Sequence, residues 1–101
     1  MPPIHIRYVV TVYGERKPFF TNMDYYNTIP VTAMDFAEER GVPIHLLSRL
    51  KDPGNALMDI VASEQPFAED LAAKLREMKK YERVEVKQET IDFSILRAGT
   101  Q

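Results

Sequence analysis

Residues 28–61 read TIPVTAMDFAEERGVPIHLLSRLKDPGNALMDIV, a helix, a strand, a turn and a second strand in unbroken succession. Ile29, Ala33, Phe36 and Ala37 recur at helical spacing, which places them on one face of a helix. Asn27 or Thr28 is suited to cap its start, and Pro30 is acceptable in a first turn, where its missing N–H costs nothing. Gly41 supplies the left-handed residue that stops a helix. Val42, Ile44, Leu46 and Leu47 then form a strand with Pro43 at its beginning and Leu50 at its close. In Lys51-Asp52-Pro53-Gly54-Asn55, proline presets one dihedral and glycine accepts a positive one, so the chain reverses. Met58 and Ile60, set against Leu57, Asp59 and Val61, make the returning antiparallel strand.

Upstream, Ile4, Ile6, Tyr8, Val10 and Val12 alternate with His5, Arg7, Val9, Thr11 and Tyr13, the period of two that marks a strand. Val9 and Tyr13 in the second set predict cover on both faces near its end, hence a central place in the sheet. Gly14 ends this strand. Residues 15–27 have no clean period and mix Glu15, Arg16, Lys17 and Asp24 with Phe19, Phe20, Tyr25 and Tyr26. Connections in compact domains run to about 4–6 residues, so this longer one needs structure of its own or a job. Its aromatics suit either a core cap or a binding loop.

Downstream, Ser63 is placed to cap a second helix with Pro66 in its first turn and Phe67, Leu71, Leu75 and Met78 along one face. After Tyr81 the alternation resumes through Val84 and Val86, but Ile91, Phe93 and Ile95 fall on the opposite phase. The slip predicts a bulge or a break into a further strand before the tail at Ala98–Gln101. The order of elements predicts a single α+β domain over 1–101. It would be a ferredoxin-like βαββαβ sandwich, an antiparallel sheet with two helices on one face and an extra C-terminal strand in reserve. The uncovered face is expected to meet a second copy, a ligand or the aromatic segment.

Composition narrows the function classes. The chain has 101 residues, enough for one core, and 45% apolar with 28% charged residues is ordinary globular usage, which argues against disorder. No apolar run is long enough to span a membrane and no signal-peptide pattern opens the chain, so a cytoplasmic address is expected. With no cysteine, disulfides, thiolate zinc sites and cysteine nucleophiles are out. A formal charge of -2 gives no general field for nucleic acid.

Candidate chemistry is sparse. His5 and His45 lie on strands that are not neighbours in the expected order, which argues against a shared metal. Asp59, in an apolar strand, is either a buried acid suited to proton abstraction or an anion paired with a Lys or Arg. Pro2, behind the initiator methionine, resembles the proline base of tautomerases of the 4-oxalocrotonate type. Gly14 and Arg16, at the end of the first strand, are similar in place to the anion loop of acylphosphatases, without its glycines. Tyr8 and Tyr13 with Arg7 and Lys17 would suit base stacking on an open sheet, but the basic-aromatic run of RNA-recognition modules is missing.

Two longer resemblances remain. Ala33 to Asn55 is similar to a stretch near the end of uridylate kinases and related amino-acid kinases, without their phosphate loops. Val10 to Pro18, VTVYGERKP, followed by Gly41-Val42-Pro43-Ile44, resembles ACT-like regulatory domains over about residues 6–87. That resemblance implies a small noncatalytic module, a homodimer, that binds an amino acid or related small molecule without a cofactor. The implied site is Gly14, Glu15, Arg16, Phe19, Tyr25 and Tyr26, with backbone at Gly14 and Glu15 near the ligand, Arg16 on its carboxylate and the aromatics excluding water. A protein-interaction subunit using the 15–27 aromatics, or a small enzyme of ferredoxin-like or tautomerase-like type, are the alternatives.

Overall fold

Alternation carries the first strand, β1 (Ile4–Tyr13), into the middle of a four-stranded antiparallel sheet. The computed structural model describes the backbone of residues 4–15, 19–49 and 51–92 and the side chains of 5–15, 27–49 and 51–90. In chain order β1 is followed by α1 (Phe19–Arg40), β2 (Ile44–Ser48), β3 (Ala56–Ala62), α2 (Gln65–Glu77) and β4 (Arg83–Asp92). The sheet order is β2-β3-β1-β4, so β1 is central, and β3 separates it from β2. This α+β arrangement is compatible with the ferredoxin-like expectation.

One face of the sheet makes the core. Val10 and Val12 of β1 stand beside Ile60 and Met58 of β3 and Val86 and Val84 of β4. Against them pack Ile29, Ala33 and Ala37 of α1 and Phe67, Leu71 and Leu75 of α2, in a single buried cluster. The Phe36 and Phe67 rings meet between the helices with centroids 5.3 Å apart. Burying each large side chain stabilises the fold by about 1.5–3 kcal/mol, so this cluster is the main source of stability.

The helix ends show where local signals held and where they did not. Gly41, at φ +66°, closes α1: its N–H donates to Glu38 O and that of Val42 to Ala37 O, the paired bonds of a Schellman motif. The start expected at Asn27 or Thr28 is corrected to Phe19, which leaves Pro30 inside the helix rather than in its first turn. No glycine or proline interrupts residues 19–29. Extending a nucleated helix is cheap, so α1 absorbs most of the segment expected to be an aperiodic connection. Ser63 is not the cap of α2 either. The cap position falls to Glu64, without a side-chain cap bond, and Pro66 sits in the first turn as expected.

The expected bulge is displaced. β4 pairs with β1 without interruption from Tyr13↔Arg83 to Ile4↔Asp92, so the slip of apolar phase is not repaired by a break within that strand. Ile91 is set opposite His5 instead. The irregularity lies on the other side of β1, between Val12 and Tyr13, where Leu57 is the unmatched residue of β3. Bulging there lets Leu57 and Met58 both reach the core. Leu50, Phe93, Ile95 and the tail from Ala98, with any further strand, lie outside the described residues.

Candidate functional site

The end of β1 is where separate parts of the chain converge. Gly14 donates its N–H to Asn55 O at 2.9 Å, and Glu82 donates its N–H to Tyr13 O at 2.8 Å. These two bonds tie the β2–β3 turn and the α2–β4 junction to the same strand end. The turn forms because Gly54 takes φ +90° and Asp52 donates its N–H to Arg49 O at 3.1 Å. Between the three segments lies an open concavity of about 450 Å³, lined among others by Tyr13, Arg49, Gly54, Asn55, Glu82 and Arg83.

Its lining is pre-arranged. The Arg83 guanidinium lies 4.0 Å from the centroid of the Tyr13 ring, a cation–π contact that holds both side chains in place. Asn55 Nδ2 donates to Glu82 Oε2 at 3.2 Å, joining the turn to the junction. Arg83 also faces Glu85, 3.4 Å away on the strand.

Behind Arg49 runs a polar chain on the sheet face opposite the helices. Thr11 Oγ1 donates to Asp59 Oδ1, and Arg49 Nη1 donates to Asp59 Oδ2, both at 2.8 Å, while Arg49 Nε pairs with Asp52. The hydrogen bond that Arg49 donates to Asp59, then the one it donates to Asp52, holds the Arg49 pKa above its ordinary value. Only 13% of the Asp59 side chain is exposed, and both its oxygens are engaged. Of the two readings of Asp59, the geometry matches the paired anion.

The expected site residues divide. Gly14 is buried with its N–H committed to Asn55, and Glu15 is exposed beside it. Arg16 lies outside the described residues. Phe19, Tyr25 and Tyr26 are on the first turns of α1, and their side chains also lie outside the described ones. His5 and His45 are on β1 and β2, with β3 between them. Arg49, Asn55, Glu82 and Arg83 were not singled out by residue pattern. The available signal was topological: the end of β1 and the starts of β3 and β4 fall at one end of an antiparallel sheet. Comparison with protein-family models, with curated proteins and with solved structures finds no match.

Proposed function

We propose that the chain is a small, noncatalytic ferredoxin-like module that binds a small polar molecule in the manner of ACT-like regulatory domains, acting as a homodimer. The observation that carries this reading is the concavity at the end of β1, where Arg83, Glu82, Asn55 and the Tyr13 ring converge from three segments. A guanidinium, a carboxylate and an amide within one concavity match a ligand with an anionic and a cationic end, such as a free amino acid. The site adjoins Gly14 and Glu15, the strand end that the ACT-like resemblance picks out.

A thermal-shift series with amino acids and nucleotides tests it, because a ligand selective for the folded state raises the melting temperature. An amino acid should raise it in the native chain and fail to do so in Arg83→Ala. No response to any ligand, or an undiminished response in Arg83→Ala, counts against the site. A second reading, a protein-interaction subunit, is favoured by Val31 and Met34, which stand 57% and 56% exposed on α1. Val31→Glu should then abolish partner capture while any amino-acid response persists.

A further inference from the structure

β4 is an edge strand of 10 residues, and among the described residues no strand pairs with its outer side. The groups that this side presents follow from the ladder. Tyr13 O accepts from Glu82 N–H, so odd-numbered residues of β1 turn their backbone polar groups toward β4, while Gly14, one residue on, turns to Asn55. Through the register Val9↔Lys87 and Thr11↔Glu85, the odd residues of β4 answer them. Val84, Val86, Gln88 and Thr90 therefore direct N–H and C=O outward. Arg76 fits this assignment: its Nε and Nη2 reach Val84 O at 3.1 and 2.7 Å from α2.

The side chains add a register. On the face away from the helices β4 carries Arg83, Glu85, Lys87 and Glu89, signs alternating. A half-turn about an axis through Val86, perpendicular to the sheet, sets Arg83 against Glu89 of a second copy and Glu85 against Lys87. Every directly opposed charged pair is then of opposite sign. Moving the centre by one residue inverts this: centred on Glu85, that residue meets itself and Arg83 meets Lys87, and centred on Lys87, that residue meets itself and Glu85 meets Glu89. Charged edges ordinarily keep copies apart. Here the order of signs removes the repulsion in one register and imposes it in the next.

The geometry points to β4 as the dimer surface, pairing antiparallel with β4 of a second copy about Val86 and joining the two sheets edge to edge. The half-buried Val86 meets its counterpart on the helix side, where each is already packed against its own core. On pairing, Val84 O keeps the shorter bond from Arg76 Nη2 and exchanges the longer one from Nε for Gln88 N–H of the second copy, since a carbonyl has two lone pairs. Arg7, which donates through Nε to Glu89 Oε1 at 2.9 Å, extends the row of charges inward. This inference rests on the homodimer proposed above and not on the ligand.

Sedimentation equilibrium of the full chain, with circular dichroism on every variant, tests it. The native chain should be a dimer that weakens as salt rises, because the opposed charges are exposed. Glu85→Lys and Lys87→Glu alone should each weaken it at least about tenfold, whereas the double exchange restores it to within about threefold. Gln88→Pro removes an outward N–H without touching the β1 ladder and should give a folded monomer. A native chain that is monomeric at all concentrations overturns both this surface and the homodimer. A dimer indifferent to the single reversals and to Gln88→Pro overturns the surface alone.

Discussion

The two faces of the sheet are built from the same strands and held by different physics. On the helix side, Val10, Val12 and Ile60 are fully buried in an apolar cluster with no polar partner to satisfy. On the other side, Thr11 and Asp59 sit opposite each other in the β1–β3 register and are joined to Arg49, while Arg7 pairs with Glu89 across β1 and β4. Val9 and Val61, a cross-strand pair on that polar side, are also buried, whereas Leu47 on the β2 edge is half exposed. Alternation thus assigns each residue a face, but the worth of a contact depends on how far water is excluded from it. A dense apolar face loses stability with every methylene removed, while a partly wet polar face exchanges one set of hydrogen bonds for another.

The largest break of this contrast should come from the helix side. Leu71→Ala, at a fully buried position of α2, should cost about 2–5 kcal/mol in denaturant unfolding, from lost transfer energy and the cavity left behind. Next, Asp59→Ala should cost about 1–3 kcal/mol, because Thr11 is buried and loses its acceptor. A double-mutant cycle with Arg49→Ala should show coupling, since the two residues share one network. Smaller still, Arg7→Ala should cost at most about 1 kcal/mol and less in high salt, because both it and Glu89 are partly exposed. An Arg7→Ala loss equal to that of Leu71→Ala would dissolve the distinction between the faces. At the small end, Lys79 holds φ 54° just beyond α2, a strained value for a residue with a side chain. Lys79→Gly should raise stability by about 0.5–1 kcal/mol, with neither face changed.

Much of the fold was legible from residue order. The central strand, the stop at Gly41, the turn at Asp52–Asn55 and the buried face of α2 each depend on neighbours a few residues away, which periodicity and dihedral preference report directly. The start of α1 is not legible, because Pro30 fits a first turn by local preference whereas α1 begins at Phe19 and carries that proline inside it. The slip of apolar phase after Val86 predicts a bulge or a break, but β4 keeps its register against β1 through Asp92, and no local pattern signals the irregularity at Leu57. The site was the least legible part. Gly14 marks the end of β1, beside which the concavity lies, but Arg49, Asn55, Glu82 and Arg83 look like ordinary turn and surface residues until the sheet gathers them.

The sequence by itself determined the order of strands and helices, the face served by residues in unbroken alternation and the alternating charge along residues 83–89, because these are properties of a local backbone repeat. Only the tertiary structure decided that Leu57 is the unmatched residue of β3 and that Tyr13, Asn55 and Arg83 line one concavity. Those facts depend on hydrogen bonds between segments far apart in the chain, and no local pattern encodes which distant partner a strand end will meet.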